Sequence, residues 1–128
     1  MLTKRRLTKQ RKLILDTLRA SHEHLSADKL YEALKENYPE LSLGTVYRNL
    51  NVLQEQGEII KIEGDFPSSR YDGNTTPHHH IYCTNCEEIH DVDMSYCTAA
   101  IDRLEAESGY KIDNYSILFT GTCNKCKF

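Results

Sequence analysis

The chain has 128 residues, a net charge of −3, 39% hydrophobic and 27% charged residues. That length suits one or two small domains, and the modest apolar share predicts small cores completed by a metal or a partner chain. No apolar run could span a bilayer, and the opening MLTKRRLTKQRK lacks the apolar centre of a secretory leader, so the expected compartment is the cytoplasm.

Charge is unevenly placed. Residues 1–20 carry seven basic side chains (Lys4, Arg5, Arg6, Lys9, Arg11, Lys12 and Arg19) against Asp16 alone, whereas residues 75–128 carry four basic and eight acidic ones. A basic head on an acidic remainder points to phosphate contact by the first part only.

Leu13, Ile14, Thr17 and Leu18 mark the inner face of a helix over about 8–20. Ser26 caps a second helix with Leu30, Tyr31 and Leu34 inward, ended by Pro39, and Ser42 caps a third with Val46, Leu50 and Leu53 inward and Gly57 as its stop. EIIKIEG (58–64) and RYDG (70–73) flank a turn and predict a β-hairpin. Three helices and a hairpin make a winged helix-turn-helix. Its third helix turns Gly44, Arg48 and Asn51 outward with Tyr47 at the flank, and these side chains offer donors for phosphates and base edges. Tyr47, Arg48, Asn51 and Thr45, with Lys9 and Arg11 of the basic head, are the candidate DNA contacts.

The polar NTTP (74–77) reads as a linker between a DNA-binding domain at 1–73 and a second domain at 78–128. In that second part HHIYC and EEIHDVD read as strands around a turn. A helix over 95–108 follows, with Ser95 as cap, Gly109 as stop and Ala100, Ile101 and Leu104 as its apolar face; 110–122 reads as a last strand region. The fold class is therefore α+β, a winged helix followed by a small α/β unit.

Cys83 with Cys86 and Cys123 with Cys126 form two C-x2-C pairs. In a reducing compartment such pairs favour metal over disulfide, and four thiolates select structural zinc. Cys97 is left over and reads as a small buried hydrophobe. His78 and His80 share one strand face while His79 points to the other, and Asp91 and Asp72 offer carboxylates nearby in the predicted topology. Such nitrogen and oxygen donors suit Fe(II) or Mn(II) at least as well as zinc. By spacing alone they are equally compatible with solvated surface groups.

HLSADKLYEAL (24–34), LSLGTVYRNLNVLQEQG (41–57), SSRYD (68–72), HHHIYCTNCEEIHDVD (78–93) and CNKC (123–126) together resemble the ferric uptake regulator (Fur) family of bacterial metal-dependent repressors, over essentially the whole chain. Within it the chain is most similar to the peroxide-responsive branch, PerR, because Asp91 stands where iron-sensing members usually carry glutamate. The resemblance implies a regulatory metal held by His24, Asp72, His78, His80 and Asp91, with His24 and His78 as the oxidation-sensitive ligands. It also implies a homodimer joined through the second domain and bound to inverted-repeat operator DNA. Asn114 and Tyr115 stand where many relatives have histidines, so a third metal site is not implied. A metal-availability repressor without peroxide chemistry is the alternative within the family. A small metalloenzyme is a distant one, since no H-E-x-x-H helix is present.

Overall fold

The computed structural model describes residues 8–127, so Lys4, Arg5 and Arg6 of the basic head lie outside the described residues. The chain divides into two compact units, residues 1–75 and 76–128.

The first unit opens with α1 (Lys9–Ala20), α2 (Ala27–Leu34) and α3 (Leu43–Glu55). Each starts at a hydroxyl cap: the side chains of Thr8, Ser26 and Ser42 accept from the amides of Arg11, Lys29 and Thr45, satisfying donors the first turn leaves open. Helix α3 ends before Gly57, whose φ of 74° a side chain would resist. The hairpin follows as β1 (Ile60–Ile62) and β2 (Arg70–Asp72), antiparallel with Ile60 opposite Asp72. Ile14, Leu30, Val46, Leu50, Leu53 and Ile59 are buried in one cluster beneath these elements. On α1 the buried face is Ile14, Leu15 and Leu18, with Leu13 only partly buried, so the inner stripe lies one residue from where periodicity alone put it. Gly73 closes the unit against α1: a Cβ there would meet the Arg19 backbone nitrogen at 2.8 Å.

The second unit pairs β3 (His79–Cys83) antiparallel with β4 (Ile89–Val92) and parallel with β5 (Leu118–Gly121), giving the order β4-β3-β5. Between β4 and β5 come a short 3-10 turn (Met94–Cys97) and α4 (Thr98–Ser108). Two expectations are corrected here, the cap of α4 and the extent of the last strand. Ser95 does not cap α4, because it lies inside the 3-10 turn and gives its own amide to the Asp93 side chain at 2.8 Å. Within this chain the apolar face of α4 is open: Ala100 is exposed, Ile101 half-buried and Leu104 49% exposed. Only 118–121 of the last strand region is strand, where it pairs in parallel register with β3. Gly109 does stop α4, with φ 78°. Among the described residues of this unit the buried side chains are Tyr82, Cys83, Ile89, Cys97, His79 and His80. So small a core needs reinforcement from a metal or another chain.

Candidate metal centres

Cys83 ends β3, Cys86 follows in the turn, and Cys123 and Cys126 follow β5. Parallel pairing of β5 with β3 brings the two C-x2-C turns together, and all four sulfurs lie within 4.8 Å of one another. The amides of Cys86 and Cys123 point at Cys83 Sγ at 3.5 and 3.4 Å. These two amides hold the Cys83 thiol down to about 6. At Cys86 a backbone hydrogen bond at Glu88 favours the thiolate, yet desolvation and the sulfurs of Cys83, Cys123 and Cys126 outweigh it and push this thiol up to about 12. Four sulfurs this close cannot all ionise unaided. A divalent cation among them would relieve that repulsion, so the donor set fits zinc. Glu87 takes φ 66° in the first of these turns, and Lys125 of the second pairs with Glu88 of the first at 2.5 Å.

The histidine and aspartate donors form a group in each unit. In the first, buried His24 places Nδ1 3.6 Å from Oδ1 of buried Asp72, a residue of β2. His24 has φ 52°, a left-handed conformation rare for a side chain of this size. In the second, register sets His80 of β3 opposite Asp91 of β4. Asp91 Oδ1 lies 3.0 Å from His78 Nε2 and 3.5 Å from His80 Nε2. Thr76 O lies 2.6 Å from His78 Nδ1, so that nitrogen donates and Nε2 is the ring nitrogen left to face Asp91 or a cation.

His79, on the opposite face, is fully buried and accepts the Ile117 amide at Nδ1 at 3.0 Å. Its ring stacks obliquely against Tyr115, with centroids 5.2 Å apart. Burial, with His78 and His80 adding to it, lowers its pKa and keeps it neutral.

On α3, Tyr47, Arg48 and Asn51 are exposed and Thr45 is half-buried. Thr45 Oγ1 accepts from the Arg48 guanidinium at 3.0 Å and lies 2.9 Å from Ser42 Oγ, so the polar face is partly prearranged. Lys9 is exposed. Arg11 is half-buried, and its Nε donates to Asn49 Oδ1 at 3.0 Å, tying α1 to α3. Buried Asn49 in turn donates to Thr45 O. Asn49 and Arg70 carry structural roles that sequence reasoning missed; an asparagine on the inner flank of an apolar helix was the available signal for the first, and Arg70 had none.

The model of the ferric uptake regulator family matches residues 3–120. The chain belongs to the ferric uptake regulator family. It is 37% identical over 123 residues to the peroxide operon regulator of Bacillus subtilis (strain 168), covering 94% of this chain and 83% of that protein. It is 36% identical over 124 residues to the peroxide-responsive repressor PerR of Staphylococcus aureus (strain USA300), covering 95% of this chain and 82% of that one. A crystal structure of the Campylobacter jejuni peroxide stress regulator superposes with a TM-score of 0.75 at 36% identity, over 91% of this chain and 88% of that chain. Fur-family relatives are repressors rather than enzymes, and as a family they are dimeric DNA-binding regulators. The four-cysteine cluster and the histidine–aspartate donors fit metal-dependent regulation, with structural zinc in the first and a regulatory iron or manganese on the second. No helix among the described residues is long and apolar enough to cross a membrane.

Proposed function

We propose that this chain is a cytoplasmic, peroxide-responsive repressor that binds inverted-repeat operator DNA as a homodimer while Fe(II) or Mn(II) is held by His24, Asp72, His78, His80 and Asp91. The observation that carries the reading is the division of donors. The first unit offers two and the second three, and neither set alone fills the coordination sphere of an octahedral ion. An ion shared by both sets would favour one arrangement of the DNA-binding and second units, and in a dimer would set two α3 helices at half-sites about one helical turn apart.

Bound Fe(II) would supply the redox chemistry by which hydrogen peroxide, as two-electron oxidant, inserts one oxygen into a ring C–H of a neighbouring imidazole and leaves as water; Mn(II) would not. The chain's own part is to present the rings. His78 is fixed by Thr76 and Asp91, and His24 sits beside Asp72, so both are held where oxidation would end their ligation. Tyr47, Arg48, Asn51 and Thr45 would face the major groove, with Lys9 and Arg11 on phosphates. Dimerisation through the second unit is supported by Tyr96, Leu104, Tyr110 and Phe119, large apolar side chains that this unit leaves exposed.

The test is anaerobic operator binding with Fe(II) or Mn(II), before and after a small dose of peroxide, with mass spectrometry of the peptides holding His24 and His78. Loss of binding with iron alone, and one added oxygen on either peptide, is expected. Binding that follows metal but ignores peroxide would leave a metal-availability repressor instead.

A further inference from the structure

We propose that Arg70 is a positioning residue for the regulatory metal, holding His24 in its ligating conformation through the backbone. This rests on the reading of His24 and Asp72 as ligands given above.

Arg70 and Asp72 stand two apart on β2, so their side chains leave the same face of the strand. Both reach the segment that carries His24. Asp72 Oδ1 lies 3.6 Å from the ring, while Arg70 Nε donates to the His24 carbonyl at 2.6 Å and its terminal nitrogen donates to the Glu23 carbonyl at 3.0 Å. One planar fork thus grips two successive peptides, fixing the orientation of both planes on either side of His24. The next contacts continue the grip: the Tyr71 amide donates to Leu25 O at 3.1 Å, and Ser26 bridges Arg70 antiparallel.

That grip matters because His24 has φ 52°. A β-carbon disfavours this conformation, which persists only where the surroundings impose it. Released, the backbone at His24 would relax to negative φ and carry the imidazole away from Asp72. Lysine is a point donor and cannot reproduce the planar fork, so Arg70→Lys should restore the function only in part.

The test uses the full-length, zinc-replete protein, titrated anaerobically with Mn(II) and followed by the electron paramagnetic resonance of the free ion. Arg70→Gln should weaken Mn(II) binding by about 10–100-fold, the effect of losing an orienting partner, and Arg70→Lys by less. The zinc content should stay at the wild-type value, and the Mn-free protein should remain folded at the titration temperature, its thermal midpoint lower by only the few degrees that two lost hydrogen bonds cost. Wild-type Mn(II) affinity in folded Arg70→Gln overturns the inference. Should Arg70→Gln fail to fold, a folded Arg70→Lys with wild-type affinity overturns it as well. Asp72→Asn separates the two levels. If it binds Mn(II) normally, the ligand reading itself fails; if it loses Mn(II) while both Arg70 variants keep it, only the role of Arg70 fails.

Discussion

His78 and Asp91 meet at 3.0 Å, Nε2 to Oδ1, just before β3 and on β4, while Thr76 O holds the other nitrogen of the same ring at 2.6 Å. Two acceptors therefore bracket one imidazole. With Nδ1 committed to the carbonyl, Nε2 faces a carboxylate, an arrangement that a proton on Nε2 or a cation shared with Asp91 would satisfy.

Replacing Asp91 by asparagine keeps the shape and removes the charge. Mn(II) affinity should fall by at least about 10–100-fold, with zinc content unchanged. Calorimetric titration checks this, and undiminished Mn(II) binding would take Asp91 out of the ligand set.

Cys123 lies 37 residues from Cys86 yet their sulfurs are 3.7 Å apart, so the cluster ties β5 to the β3–β4 turn. Binding free energy of about 10–16 kcal/mol is typical of structural zinc and appears as folding free energy. Cys123→Ser, or chelation of the zinc, should therefore unfold the second unit while the helices α1, α2 and α3 persist. Circular dichroism with amide exchange mapped by unit would show it; a second unit that stays protected without zinc contradicts the assignment.

Burial keeps the pKa of His79 below the ordinary 6.5. Above 6.5 neither folded nor unfolded chain holds that proton, and the full stability is present. As pH falls through this value the unfolded chain takes up a proton that the folded one resists, and stability is lost. In zinc-replete, Mn-free protein the thermal midpoint should fall on acidification, and His79→Gln should fall less steeply. Parallel slopes for the two proteins would refute the assignment.

On α3, Arg48→Ala should weaken operator binding by about 1–3 kcal/mol and relax sequence preference. Lys9→Ala should weaken all duplexes alike and reduce the salt slope by about one. Fluorescence anisotropy against specific and scrambled duplexes at several salt concentrations distinguishes them. Equal loss on both duplexes for Arg48→Ala would make it a phosphate contact only.

Glu87 takes φ 66° between Cys86 and β4, a conformation glycine adopts freely. Glu87→Gly should stabilise the zinc-bound second unit by about 1 kcal/mol, the usual relief of left-handed strain. A thermal melt of the zinc-replete protein reads this directly, and a lower midpoint would show that the Glu87 side chain contributes more than the strain removes.

How much was legible depended on range. Ser26 and Ser42 announce their helices because the cap bond closes over three residues, and Gly57 and Gly109 stop theirs for equally local reasons. His79 separated from His78 and His80 by strand parity alone. Ser95 misled, since Asp93 two residues earlier offers a competing acceptor and draws the chain into a 3-10 turn first. The apolar stripe of α4 is legible from its spacing, but its exposure within this chain is not, because periodicity reports that a face avoids water and is silent about what meets it.

By itself, then, the sequence determined the donors: which residues carry sulfur, imidazole and carboxylate, and which share a turn or a strand face. These are matters of covalent order and backbone period. Only the tertiary structure decided that Cys123 donates its amide to the Cys83 sulfur 40 residues away, and that Arg70 grips the carbonyl of His24 across 46. Such contacts depend on closing long loops. The whole core balances the entropy of that closure, and no local pattern encodes it.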